Sequence, residues 1–152
     1  MRCSVSRAEI EGLLPHRDPF LFVDEVAVDR DRITARHVFG PEECFFKGHF
    51  PRYPVVPGVI LVETMAQSGG AGLRKQGALA DDALFFLASV DKVKFRRQVR
   101  PGEELRSEIE TLRVSPKMIK QAGKAYVGNE LAAEAEWLCL VGGPDQLKEN
   151  AS

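Results

Sequence analysis

The chain has 152 residues, 44% hydrophobic and 28% charged, and its 21 Lys and Arg against 22 Asp and Glu leave a formal net charge of −1. That length makes a single domain, 1–152, whose core needs no disulfide or metal, and the balanced charge argues against a dedicated nucleic-acid binder. Cys3, Cys44, Cys139 and three scattered histidines form neither a CxxC nor a zinc-ligand spacing, so free thiols in a reducing, cytoplasmic setting are expected.

The first residues are charged and lack a continuous apolar stretch, which argues against a signal peptide. Ser6 and Glu9 have capping-box spacing ahead of Ile10, Leu13 and Leu14, with Pro15 beyond, and predict a short amphipathic helix. Residues 20–28 and 33–39 are rich in β-formers and flank the polar segment Asp29-Arg30-Asp31-Arg32, the pattern of a hairpin. Residues 40–58 scatter Pro41, Pro51, Pro54 and Pro57 among three glycines, so regular structure is not expected there. Phe45, Phe46, Phe50 and Tyr53 in that segment mark an ordered, functional loop rather than a disordered one.

Pro57 suits the first position of a helix running to about residue 75. From 53 to 73 the only formal charge is Glu63, and a helix so apolar is buried on most sides. The apolar run 55–62, broken by Pro57 and Gly58, is too short to span a bilayer. Strands are expected over 84–99, 103–114, 118–127 and 131–141, separated by Pro101-Gly102, Ser115-Pro116 and Gly128-Asn129. Residues 142–152 read as a loose polar tail. One buried helix followed by long hairpin-connected strands predicts an α+β fold in which an antiparallel sheet wraps the helix.

Three features carry chemistry. Glu63, in the helix's second turn among Val59, Ile60, Ala66 and Gln67, is set to hold its proton through desolvation and to act as a general acid, with Gln67 placed to orient it. The alternatives are a wet stripe of the helix or a distant arginine partner. His49, in the rigid loop, has the make-up of a general base, although a loop histidine is more often a packing residue; His16 and His37 have less support. Residues 55–57 offer no side-chain cap, so the N–H of Gly58 is placed to receive an oxyanion or polarised carbonyl, unless water or another loop caps it. In the segment 91–100, Lys92, Lys94 and Arg96 would share one strand face opposite Val93 and Phe95. With Arg97 and Arg100 they form either a landing strip for an acidic partner or the solvated side of a half-buried strand.

Taken together, Leu14-Pro15-His16-Arg17, Pro19-Phe20-Leu21-Phe22-Val23-Asp24, Gly48-His49-Phe50-Pro51, Pro54-Val55-Val56-Pro57-Gly58 and Glu63-Thr64-Met65-Ala66-Gln67 resemble the FabZ-type 3-hydroxyacyl-[acyl-carrier-protein] dehydratases. Val90-Asp91-Lys92-Val93-Lys94-Phe95-Arg96 and Pro101-Gly102 extend the resemblance, which spans residues 8–141. It implies a hot-dog fold and a dimer, or a trimer of dimers, with active sites at the dimer interface and no cofactor. It further implies His49 as base, Glu63 of the other chain as acid, and the Gly58 N–H as donor to the thioester carbonyl. Val59, Gln67 and Phe50 would line the substrate, and an acyl carrier protein would dock on the basic strand. Asp18, Arg52, Val56 and Thr64 depart from residues common in the family motifs, without removing a catalytic group. A hot-dog thioesterase and a non-catalytic acyl-binding module are the competing readings.

Overall fold

The computed structural model describes residues 3–5 and 7–143. A strand β1 (Cys3–Val5) and a helix α1 (Arg7–Leu13) lead into the hairpin β2 (Glu25–Asp29) and β3 (Arg32–Val38). After a 3₁₀ turn at Cys44–Lys47 comes the long helix α2 (Gly58–Lys75). It is followed by β4 (Leu84–Phe95), β5 (Glu104–Val114), β6 (Met118–Val127) and β7 (Glu130–Gly142). All neighbours pair antiparallel in the order β1-β2-β3-β5-β6-β7-β4, so the strand that follows α2 lies at the far edge of the sheet. This is the expected hot-dog arrangement, with the sheet wrapped around α2.

The wrap follows from burial. Along β3, Ile33, Ala35 and His37 are buried while Arg32, Arg36 and Val38 face solvent, the period-2 pattern of a half-buried strand. On α2, Leu61, Val62 and every residue from Thr64 to Leu73 is buried. Its small residues let the sheet come close. A Cβ on Gly69, Gly70 or Gly72 would run into Gln121, Phe85 or Ile33, from three different strands. The polar centre of this packing is satisfied: Gln121 donates to Gly69 O at 3.3 Å and Thr111 Oγ1 at 3.1 Å, and accepts from Trp137 Nε1 at 3.3 Å.

Several boundaries differ from expectation, each for a local reason. Pro57 caps α2 rather than opening it, with φ −55° and ψ 138°, and the helix starts one residue later. Residues 20–23 leave the ladder, which Asp24 N re-enters at Arg36 O, although Leu21, Phe22 and Val23 are core. The Gln67 side chain takes the place of a strand neighbour there, accepting from Phe22 N at 2.9 Å and donating to Phe20 O at 3.0 Å. β4 stops at Phe95, because the N–H groups of Arg96 and Arg97 both turn to Ala132 O and Val99 O accepts from Val56 N. The 3₁₀ turn is regular structure inside the proline-rich loop, and β1 was not foreseen. Gly142, expected in the tail, pairs with Leu84 in the sheet. Ser6 and residues 144–152 lie outside the described residues.

Candidate functional site

α2 presents Glu63 to a cavity of about 220 Å³ lined by Pro15, His16, Ala66, Gln67, the start of β4 and Cys139. Burial pushes the Glu63 pKa above the ordinary glutamate range, and a hydrogen bond from Gln67 Nε2 at 3.1 Å opposes that rise in part. Gln67, itself fully buried, thus ties the carboxyl to the backbone of residues 20–22. The wall is largely apolar, with Leu84, Phe85, Phe86 and Leu87 along one side. Burial and the nearby Glu63 raise the Cys139 thiol to about 12, so it stays protonated and is no nucleophile. Among the described residues no three His, Cys, Asp or Glu side chains converge as a metal ion would need.

His49 follows the 3₁₀ turn, and its own N–H donates to Phe45 O at 2.8 Å. Its ring Nδ1 lies 3.1 Å from Val55 O. A carbonyl only accepts, so the proton sits on Nδ1 and the Nε2 lone pair is left free to take another. The loop is pinned from below by His37, buried in β3, whose two nitrogens lie 3.1 Å from Asp24 Oδ1 and 3.0 Å from Glu43 Oε1. Arg7 clamps the same Asp24 oxygen at 2.7 Å. His37 is thereby a structural tie between the sheet and the segment carrying His49, a role its sequence position beside Arg36 did not reveal.

The helix start has the predicted form. No side chain caps Pro57, and the first intrahelical acceptor is Pro57 O, reached by Ile60 N and Leu61 N. The N–H groups of Gly58 and Val59 therefore point out of the helix end. Phe95 packs over Gly58 so closely that a Cβ there would sit 2.9 Å from its ring.

Glu63, Gln67 and the cavity come together within this chain, but His49 does not line that cavity. His16 does, with Nε2 3.7 Å from Glu63 Oε1. Val59 is 74% exposed, Phe50 55% and Phe95 54%, an apolar surface left open around the helix start.

The expected shared face is kept despite irregular pairing: Lys92 and Arg96 reach Glu136 and Glu134, alternate residues of β7, Lys94 lies opposite Glu134, and Phe95 packs over Gly58 on the other side. β4 bulges against β7 after Leu87 and again between Asp91 and Lys94, and Lys92 adopts φ +51°. Val93 and Phe95 are exposed instead of buried, because β4 is an edge strand. Much of the positive charge is already matched: Lys92 pairs with Glu136 at 3.4 Å, Arg96 with Glu134 at 3.4 Å, and Arg97 with Glu103 and Glu130 at 2.8 and 3.2 Å. Arg100 donates to Tyr53 Oη at 2.6 Å and lies over its ring, and Lys94 is exposed.

The family model described as a FabA-like domain matches residues 14–136. The 3-hydroxyacyl-[acyl-carrier-protein] dehydratase FabZ of Desulforamulus reducens is 44% identical over 135 residues, covering 88% of this chain and 94% of that one. The Moorella thermoacetica protein of the same name is 45% identical over 140 residues, with the same coverage of each chain. Among solved structures, the dehydratase heterocomplex ApeI:P from Xenorhabdus doucetiae superposes with a TM-score of 0.79 at 18% identity, covering 94% of this chain and 97% of that one. The fluoroacetyl-CoA thioesterase FlK superposes with a TM-score of 0.62 at 15% identity over 79% of this chain and 92% of its own, so the fold alone serves both chemistries.

Proposed function

Because the chain belongs to the family of FabA-like domains and FabZ-type dehydratases, we propose that it dehydrates 3-hydroxyacyl-[acyl-carrier-protein] to the trans-2-enoyl thioester in fatty acid biosynthesis. The observation that carries this reading is Glu63: a single acid on an apolar helix, burial-raised, facing a cavity walled by Leu84, Phe85 and Phe86.

The thioester carbonyl accepts from the Gly58 N–H at the positive helix end, which stabilises the enolate as it forms. His49 Nε2 takes the C2 proton. Glu63 protonates the C3 hydroxyl, the C3–O bond breaks, water leaves, and the C2–C3 double bond forms. The enzyme is left with an imidazolium and a carboxylate, which return to their starting states by proton exchange with solvent. The cavity beside Glu63 takes the acyl chain, with Gln67, Val59 and Phe50 as its further contacts.

His49 and Glu63 meet across a dimer interface in this reading. Supporting it, His49 does not line the Glu63 cavity, and the edge strand β4 exposes Phe86, Leu87, Val90, Val93 and Phe95. An unpaired, apolar edge of this length is a template for pairing with a second copy. Carrier-protein docking falls to Lys94 and Arg100, with Lys92, Arg96 and Arg97 contributing less because they are paired internally. The unpaired Cys44 and Cys139 thiols fit a cytoplasmic setting, and no described helix is long and apolar enough to cross a membrane.

The test is incubation of the purified protein with a ladder of 3-hydroxyacyl carrier-protein substrates. Enoyl thioester formation without free thiol supports the reading. Release of free thiol, or tight binding with no turnover, contradicts it.

A further inference from the structure

Among the described residues facing Glu63, His16 is a hydrogen-bonding side chain to which the dehydration chemistry above gives no part. It sits on the turn after α1, and that turn is stapled from behind. The Arg17 guanidinium donates to the carbonyls of Leu14, His16 and Glu11 at 2.8, 2.7 and 2.9 Å. The imidazole packs against Phe85, ring centroids 6.0 Å apart, with only 21% of the side chain exposed. Nε2 lies 3.7 Å from Glu63 Oε1, while Nδ1 is buried with no hydrogen-bond partner among the described residues.

These positions decide the tautomer. A proton on Nδ1 would bury an N–H without an acceptor and turn a lone pair toward a carboxylate oxygen, two unfavourable contacts at once. A proton on Nε2 faces Oε1 instead. Gln67 Nε2 already donates to that same oxygen at 3.1 Å.

We propose that His16 is a positioning residue for the acid: with Gln67 it forms a two-donor clamp on Glu63 Oε1, which leaves Oε2 as the oxygen that carries and delivers the proton. The proposal rests on the reading of Glu63 as the acid. At 3.7 Å the His16 contact is longer than a hydrogen bond, so the clamp requires it to shorten when the carboxyl is engaged. The clamp also favours the carboxylate produced when the proton leaves, in a pocket where burial disfavours it.

Charge state matters here. An imidazolium beside Glu63 would hold it ionised and disable it as an acid. Burial, and secondarily the Arg17 charge, lower the pKa of His16, so near neutrality it offers an N–H dipole without a positive charge. The titratable groups that face Glu63 in its cavity are His16 from the α1 turn and Cys139 from β7, whose thiol stays neutral. In the proposed dimer His49 of the second copy also faces Glu63, and the Arg17 charge bears on His16.

The sign is fixed. Removing the donor raises the Glu63 pKa further, so its titration and the descending limb of the pH–rate profile both move to higher pH. His16→Phe keeps the ring contact and removes the donor; His16→Gln puts an N–H back at similar reach. For His16→Phe the expected result is kcat lower by about 10- to 100-fold, KM within about twofold, and an upward shift of the Glu63 carboxyl in a ¹³C NMR titration. His16→Gln restores both. Unchanged Glu63 titration in folded His16→Phe, or equal losses in both variants with no shift, overturns the proposal.

¹⁵N NMR of the wild-type histidines needs no variant: a neutral, Nε2-protonated His16 at pH 7 supports the clamp, and an Nδ1–H or cationic ring contradicts it. The two NMR readouts need no substrate. A wild-type protein that fails to dehydrate yet shows both signatures contradicts the proposed activity and leaves the clamp standing.

Discussion

The two ends of α2 are built differently. From Thr64 to Leu73 the helix is sealed: Gly69, Gly70 and Gly72 meet Gln121, Phe85 and Ile33, and the buried amides of Gln67 and Gln121 are satisfied within the chain. Its start up to Glu63, the loop before it and the edge strand beside it are open, with Val59, Phe50 and Phe95 each more than half exposed and Glu63 facing a cavity. The closed end behaves as ordinary core. The open end holds the free N–H groups and the free His49 nitrogen, and it is apolar where a solvated surface would be polar. In the proposed dimer one chain completes its fold but only half of its site.

The sharpest way to break this contrast is to remove a reacting group from the open end. His49→Ala and Glu63→Gln should each lower kcat by at least about 10²–10⁴-fold while leaving the thermal midpoint within a few degrees, by steady-state assay and calorimetry. Near-wild-type turnover in either would end the assignment. Next in size is the edge itself. Val90→Glu together with Val93→Glu places charges on residues already exposed in the single chain, so the monomer should fold. Sedimentation should find the monomer, and activity per chain should fall to about the level of the His49→Ala variant, because a monomer holds no complete site. A fully active dimer would show that β4 is not the pairing edge.

The closed end should respond in the opposite sense. Gly72→Ala pushes a methyl group against Ile33 and should cost about 1–3 kcal/mol of stability, seen as a lower denaturation midpoint, with kcat unchanged. A loss of kcat with stability intact would show that the two ends are coupled.

The smallest effect concerns pH. The folded pKa of Glu63 is raised, so the native state holds more protons than the unfolded chain between the ordinary glutamate value and the raised one. Stability associated with Glu63 is therefore full below the ordinary value and declines as pH rises through that window. Glu63→Gln should be slightly more stable than wild type at neutral pH and indistinguishable from it in acid. A variant less stable at neutral pH would mean that the carboxylate is favoured in the fold.

The closed end was largely legible in sequence because it follows local rules. Glycines mark the turns, with Gly102 at φ +86° and Gly128 at φ +59°, and the strands between them alternate in burial. The long uncharged run placed α2 to within one residue. What escaped depends on contacts across long separations. Residues 20–23 have strand composition, yet Gln67, 45 residues from Phe22, replaces the ladder. The basic stripe was legible, but its neutralisation was not, because Glu134 and Glu136 come to it from β7, about 40 residues away. His16 gave one weak signal, a polar residue between Pro15 and Arg17 in a motif of the resemblance, and its meeting with Glu63 is made only by the packing of the α1 turn against α2.

In the proposed dimer, base and acid come from different chains. Mixing His49→Ala with Glu63→Gln chains, refolding them together and counting heterodimers by native mass spectrometry tests it directly. Random pairing makes half of the dimers mixed, each with one intact site of two, so about one quarter of wild-type activity should return from two inactive parents. A mixture with proven heterodimers and no recovered dehydration would contradict the account.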